Sequence, residues 1–301
     1  MSAPRVLAVS AHVPSGRQLV FNCPIMQASP FVTIIQPSRG RSALRLREIW
    51  AFRELLLFLI WRDILVRYKQ TIFGVGWALL RPLMTTALLS YVFGYLARLP
   101  SGNARYPLFC FCGVLPWTYF SEAVSASSSS LIGNQHLISK IYFPRLLIPL
   151  SAVGRGLVDF GCAFFVLICM MLRYGVFPSW SILALPIFLA FAFLTALGVG
   201  LWFSALTVQF RDTTHVLPFL LQLWFWATPV AYGSDLVPPK LHWLHWLNPM
   251  TVVVDGFRWA ILGTPPPSPP AMTICGTITL LLLASGILFF RQMERQFADV
   301  I

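Results

Sequence analysis

From Val75 onward the chain offers six apolar stretches, at about residues 75–97, 107–131, 146–172, 180–207, 216–233 and 272–290. A helix crosses the hydrocarbon core of a bilayer with about 17–25 such residues, and each stretch reaches that length. Hydrocarbon offers the backbone no hydrogen-bond partner, so segments of this length must satisfy their own amides as helices. Composition agrees: 57% of residues are hydrophobic, 11% are charged and the mean hydropathy is +0.73, where a soluble domain carries about 25% charged residues. The expected fold is an all-α integral membrane protein with six transmembrane helices.

The flanks divide the chain into three regions. Residues 1–43 are rich in Pro, Ser and Arg without a sustained period, and read as a disordered cytoplasmic tail. No uninterrupted apolar core followed by a small-residue cleavage site is seen there, so a signal peptide is not expected. Residues 44–74 are expected to form amphipathic interface helices, and 75–301 the transmembrane domain. Ten of the 22 Lys and Arg residues precede residue 71, with only Glu48, Glu54 and Asp63 against them. Under the positive-inside rule this block places the N-terminus in the cytoplasm, and an even number of spans returns the C-terminus there. Cations in the later loops divide evenly between the two sides and add nothing to the orientation. A nucleic-acid partner is excluded, because the basic block is joined directly to membrane spans.

Between Leu57 and Gln70, helical spacing separates two faces. Arg62, Asp63, Arg67, Lys69 and Gln70 fall on one; Leu57, Ile60, Trp61, Ile64, Leu65 and Tyr68 fall on the other. Such a helix is expected to lie in the membrane interface, apolar face down and cations among the headgroups. The fifth span is short and contains Pro218 and Pro229. Asp235–Leu262 then carries Trp243, Trp246, Phe257 and Trp259, the interfacial residue types expected of short re-entrant or interfacial helices. Pro265–Pro270 stops any helix before the last span.

Three ionisable residues fall inside spans. Arg155 and Asp159 are four apart on one helical face and are expected to pair; Glu122 has no local partner. Ala196 with Gly200, and Ala126–Ser130, are small enough for close helix approach. No Gly-x-x-x-x-Gly-Lys phosphate loop precedes any of Lys69, Lys140 and Lys240, and no nucleophile–base set is spaced suggestively. Cys110 and Cys112 are one residue apart, not the two to four of zinc sites, and His242 with His245 lack a third ligand nearby. No metal site, cofactor or catalytic residue is expected, which weighs against a membrane-embedded transferase that modifies lipid carriers.

The runs WRDILVRYKQTIFGVGWALLRPL, YPLFCFCGVLPWTYFSEAVSASSSSLIGNQHLISKIYFPRLLIPLSAV, LGVGLWFSALTVQFRD, LQLWFWATPVAY and LNPMTVVVDGFRWAILG resemble the membrane subunit of bacterial ABC-2 polysaccharide exporters. Exporters of O-antigen, capsule and teichoic acid are of this kind. The likeness covers about Arg53–Phe290. It implies a homodimer in the bacterial inner membrane, and a separate ATPase subunit that binds the ATP. The cargo it implies is a glycan on undecaprenyl pyrophosphate; export of a small lipid or drug by the same machinery is the alternative.

Site expectations follow from that resemblance. The ATPase-coupling segment matches Asn134, Gln135, His136, Leu137, Ile138, Ser139, Lys140, Ile141, Tyr142, Phe143, Pro144 and Arg145. An outer gate matches the stretch holding Trp243, Trp246, Asn248, Phe257, Arg258 and Trp259. A pyrophosphate arriving at headgroup level would seek Arg62, Arg67, Lys69 and Arg81. Sugar faces would stack on Trp77, Tyr91, Trp117, Tyr119, Phe120, Trp224, Phe225 and Trp226.

Overall fold

The computed structural model describes residues 50–69, 76–100, 105–140, 143–177, 179–238, 240 and 242–294. The expected tail, residues 1–43, and the turn at Gly74 lie outside the described residues. Among those described, all regular structure is helical. The helices are α1 (Arg53–Lys69), α2 (Gly76–Leu89, continued by a π-helical turn over Ser90–Leu96), α3 (Tyr106–Gly133), α4 (Gln135–Lys140) and α5 (Leu147–Tyr174). They continue as α6 (Leu185–Gln209, entered through a 3₁₀ turn at Trp180–Ala184), α7 (Thr213–Ala227), α8 (His242–Trp246), α9 (Pro249–Leu262) and α10 (Pro269–Glu294).

Among the described residues, four helical segments are long and apolar enough to cross a membrane: Leu79–Leu96, Leu147–Tyr174, Trp180–Gln209 and Pro269–Glu294. The other two expected spans differ from these for separate reasons. At 28 residues, α3 extends about 42 Å, but its serine-rich C-terminal half lowers its hydropathy. It can carry those serines because protein, not lipid, surrounds it: α2, α5, α6, α7 and α9 all pack against it. By contrast α7 has 15 residues, about 22 Å and too short to cross alone. The expected interruption at Pro265–Pro270 is narrower than drawn: residues 263–268 are non-helical, and Pro269 and Pro270 form the first turn of α10, where a missing amide hydrogen costs nothing.

Small residues set how closely the helices approach. A Cβ on Gly200 of α6 would lie 2.6 Å from Ser127 Oγ of α3, so the expected small-residue contact joins these two helices. Gly198 and Gly286 face each other across α6 and α10: a Cβ on Gly198 would meet the Leu282 carbonyl carbon at 2.8 Å, and one on Gly286 the Gly198 oxygen at 2.5 Å. With the backbones this close, short polar side chains reach across. Ser128 bonds Thr207 at 2.8 Å, Thr195 bonds Thr279 at 3.1 Å, and Trp202 Nε1 donates to Ser285 at 3.1 Å. Interhelical bonds of this kind contribute about 0.6 kcal/mol each in membranes.

Helix α1 departs most from expectation. Leu59 is fully buried and Leu55, Leu56, Ile60, Arg62, Asp63, Arg67 and Tyr68 are partly covered, while Leu57, Phe58, Trp61, Leu65 and Val66 are exposed. Its charged face therefore turns toward α5 and the ends of α2 and α3, and its most apolar face turns outward. The reason is solvent. Beside a bilayer, exposed leucine and tryptophan meet acyl chains at no cost, whereas charge is cheaper against other charges.

Candidate functional site

Charged side chains pair in two clusters. The first sits where α1, α2, α3 and α5 meet. Arg67 Nη1 is 2.7 Å from Asp159 Oδ2, and Arg67 Nη2 is 3.4 Å from Glu122 Oε2. Arg81 Nη1 lies 2.9 Å from the other oxygen of Glu122, and the Tyr68 hydroxyl donates to Asp159. Two cations thus neutralise two carboxylates from four helices. A cavity of about 20 Å³ lies between Glu122 and Asp159, walled also by Pro82, Thr118, Tyr119 and Phe160. That is room for one water molecule.

This arrangement corrects one expectation and adds to two others. Asp159 pairs with Arg67 and Tyr68 of α1, not with Arg155 one turn away on its own helix. Glu122, which has no local partner as expected, is met by two arginines from distant parts of the chain. Arg67 and Arg81, expected to meet a phosphate, each hold a carboxylate, and the Arg81 side chain stays 69% exposed. So does Arg62 hold one: its Nη2 lies 2.7 Å from Asp63 Oδ1 and donates to Asn134 Oδ1 at 2.6 Å. Of the four expected headgroup cations, Lys69 remains exposed and carries no ion pair among the described residues.

Arg62 reaches a corner that the expected coupling segment begins on. Asn134 ends α3, and its Nδ2 donates to Ser130 O at 2.8 Å. Its own carbonyl accepts from the amides of Leu137 and Ile138 at 3.0 and 3.1 Å, opening α4. Leu137 and Ile138 pack on the core, while His136 and Lys140 face outward. Gln135 is half-buried, nothing is described of the Ser139 side chain, and Ile141 and Tyr142 lie outside the described residues. Phe143 is buried; Arg145, beyond Pro144, donates to Glu294 O at 3.0 Å and so ties this end of α5 to the end of α10.

The second cluster sits at the other end of the bundle, around α9. Asn248 caps α9 by accepting from Met250 N at 3.1 Å. The same oxygen accepts from Trp224 Nε1 at 2.8 Å, and Asn248 Nδ2 donates to Thr228 at 2.9 Å. Arg258, 2% exposed, donates to the carbonyls of Val230 and Tyr232 at 2.7 and 3.0 Å and lies 3.8 Å over Phe109. Asp255 Oδ1 is 3.9 Å from it, and Ser234 donates to Asp255 Oδ2 at 2.6 Å. These bonds satisfy the carbonyls exposed where α7 breaks at Thr228. Among the residues expected at an outer gate, Arg258 and Phe257 are therefore enclosed structural anchors. Trp259 packs edge-on against Phe188, Trp246 is half-buried, and Trp243 is exposed.

The expected sugar-stacking aromatics divide likewise. Trp117, Tyr119 and Phe120 are buried and touch other rings: Trp117 on Phe225, Tyr119 on Phe160, Phe120 on Trp224. No face of those three is open to a sugar. Trp224 and Phe225 are half-buried. Trp77, Tyr91 and Trp226 are exposed, and Tyr91 stacks on the equally exposed Tyr95 at 5.9 Å. Sequence reasoning passed over Asp63, Tyr68 and Asp255 as partners; only the Asp255–Arg258 spacing of three carried a local signal. Among the described residues no group of three or more His, Cys, Asp and Glu side chains is placed to hold a metal ion.

A family model described as ABC-2 type transporter matches residues 54–262. The chain is 30% identical over 249 residues to the O-antigen export system permease protein RfbA of Klebsiella pneumoniae, covering 82% of this chain and 95% of that protein. It is 27% identical over 257 residues to the protein of that name in Myxococcus xanthus, covering 85% and 98%. To the polysialic acid transport protein KpsM of Escherichia coli it is 25% identical over 238 residues, covering 77% and 91%.

Proposed function

The chain belongs to the ABC-2 type transporter membrane family, and from that premise we propose that it is the membrane subunit of an ATP-driven exporter of an O-antigen-like polysaccharide. The observation that carries this reading is coverage. The O-antigen export permeases align over 95–98% of their own length, so the likeness is to the whole transport unit and not to one segment.

The finer assignments are ours. Two copies form the passage, and a separate ATPase subunit docks on α4 at the end where the termini lie in the cytoplasm. His136 and Lys140 are the outward side chains of α4, and Leu137 and Ile138 anchor it to the bundle. Asn134, clamped by Arg62, transmits movement of α4 into α3 and α1. The cargo is carried on undecaprenyl pyrophosphate. Sugar rings meet the aromatics that stay exposed, Tyr91, Tyr95 and Trp226, where a second subunit closes the lumen around them. At the far end, α8 and α9 close the exit, held in place by Asn248 and Arg258.

The test is reconstitution with the cognate ATPase. Replacing the catalytic Glu of that ATPase by Gln should abolish appearance of glycan on the outer face, while this subunit still inserts and dimerises. Glycan crossing at the normal rate without ATP hydrolysis would overturn the proposal.

A further inference from the structure

Among the described residues, Arg155 is the one arginine within the expected spans that has no counter-charge. It lies on α5, eight residues from the start of that helix at Leu147, so about 12 Å along it. Its Nε is enclosed without an acceptor, and no described residue offers its guanidinium a hydrogen bond or an ion pair. The acid that helical spacing would supply, Asp159, is committed to Arg67 and Tyr68. Glu122, the other nearby carboxylate, is shared by Arg67 and Arg81.

Counted together, Arg67, Arg81 and Arg155 face Glu122 and Asp159, leaving one positive charge on Arg155. Its position bears on what can neutralise it. Gly154 beside it is in close contact with Ile60 of α1: a Cβ there would lie 3.0 Å from Ile60 Cδ1. Arg155 therefore stands next to the seam between α1 and α5, whose outer wall is the lipid-facing side of α1. Water is scarce there, and an unpaired guanidinium at that depth is costly until an anion meets it. A flexible arginine reaches toward the headgroup layer, and its planar fork matches two oxygens of a phosphate.

We propose that Arg155 binds the phosphate ester of an anionic lipid entering the α1–α5 seam from the leaflet on the α4 side. The phosphate has two possible sources, a polyprenyl diphosphate or an anionic phospholipid of the bilayer. The polyprenyl source rests on the export reading above; the bilayer source does not. Arg62, Arg67 and Arg81 each already hold a carboxylate, whereas Arg155 holds none among the described residues.

The experiment uses the full chain in nanodiscs and measures lipid retention by native mass spectrometry, for wild type, Arg155→Gln and Arg155→Lys. Undecaprenyl diphosphate, undecaprenol and phosphatidylglycerol are the probes. Losing a charge-assisted phosphate contact should weaken binding about tenfold or more. The expected result is such a loss for undecaprenyl diphosphate in Arg155→Gln, partial rescue in Arg155→Lys, and no change for undecaprenol. The same loss confined to phosphatidylglycerol, with undecaprenyl diphosphate unbound even by wild type, supports the phosphate contact and overturns the lipid-linked cargo. Equal retention of both phosphate lipids by Arg155→Gln and wild type, with Arg155→Lys also unchanged, overturns the role of Arg155 whatever the cargo is.

Discussion

Replacing Arg67 by Gln tests whether the four-helix ionic cluster holds α1 to the bundle. The replacement removes the 2.7 Å contact to Asp159 and the 3.4 Å contact to Glu122. The two carboxylates are affected unequally. Glu122 keeps Arg81 at 2.9 Å, whereas Asp159 keeps only the Tyr68 hydroxyl. The cost is thus mainly that of stranding Asp159. Breaking a buried pair from one side costs about 3–5 kcal/mol, and an exposed pair contributes about 0–1 kcal/mol. Here the Asp159 side chain is 11% exposed and the Arg67 side chain 36%, so the pair falls between, at about 2 kcal/mol. Asp159→Asn alone should cost less, because Arg67 can still reach Glu122. The double variant should then be no worse than Arg67→Gln alone, giving a coupling of about 1–2 kcal/mol. Reversible unfolding in micelles, followed by fluorescence of the chain's 11 tryptophans, measures all four corners of the cycle. Additivity within about 0.3 kcal/mol would refute the pairing and leave α1 held by Leu59 and its neighbours alone.

Three further outcomes are expected. Asn248→Ala removes the α9 cap and the bonds to Trp224 and Thr228; a stability loss of at least about 1 kcal/mol is expected in the same unfolding assay, and a loss below half that would deny Asn248 its central position. Gly198→Leu pushes a side chain into the α10 backbone, so it should destabilise the chain by about 1–3 kcal/mol or abolish its accumulation in the membrane; wild-type thermal stability would mean that α6 and α10 are not interlocked there. Lys140→Glu reverses an outward charge on α4, and pull-down with the cognate ATPase should weaken while unfolding is unchanged; undiminished capture would remove Lys140 from the docking surface.

Much of the architecture was legible before any coordinates. Hydropathy is summed locally, residue by residue, so the ends of α2, α3, α5, α6 and α10 fall within a few residues of the apolar runs that forecast them. The break between α7 and α10, with short helices rich in tryptophan, was also readable, because proline and interfacial aromatics act where they stand. Charge pairing was not. The spacing of Arg155 and Asp159 is a valid local rule, but Arg67, 92 positions before Asp159 in the sequence, arrives on α1 and displaces it. The burial of three expected aromatics was hidden for the same reason: nothing in the order of Trp117, Tyr119 and Phe120 says that α5 and α7 will cover them.

Residue order alone fixed the bilayer setting, the approximate ends of the long helices and the lack of a phosphate loop in this chain. Tertiary structure alone decided which arginines are spent on carboxylates and which one is left over. Length and apolarity act on each segment independently, whereas a charge in hydrocarbon takes whatever counter-charge the packing of other helices brings within about 4 Å.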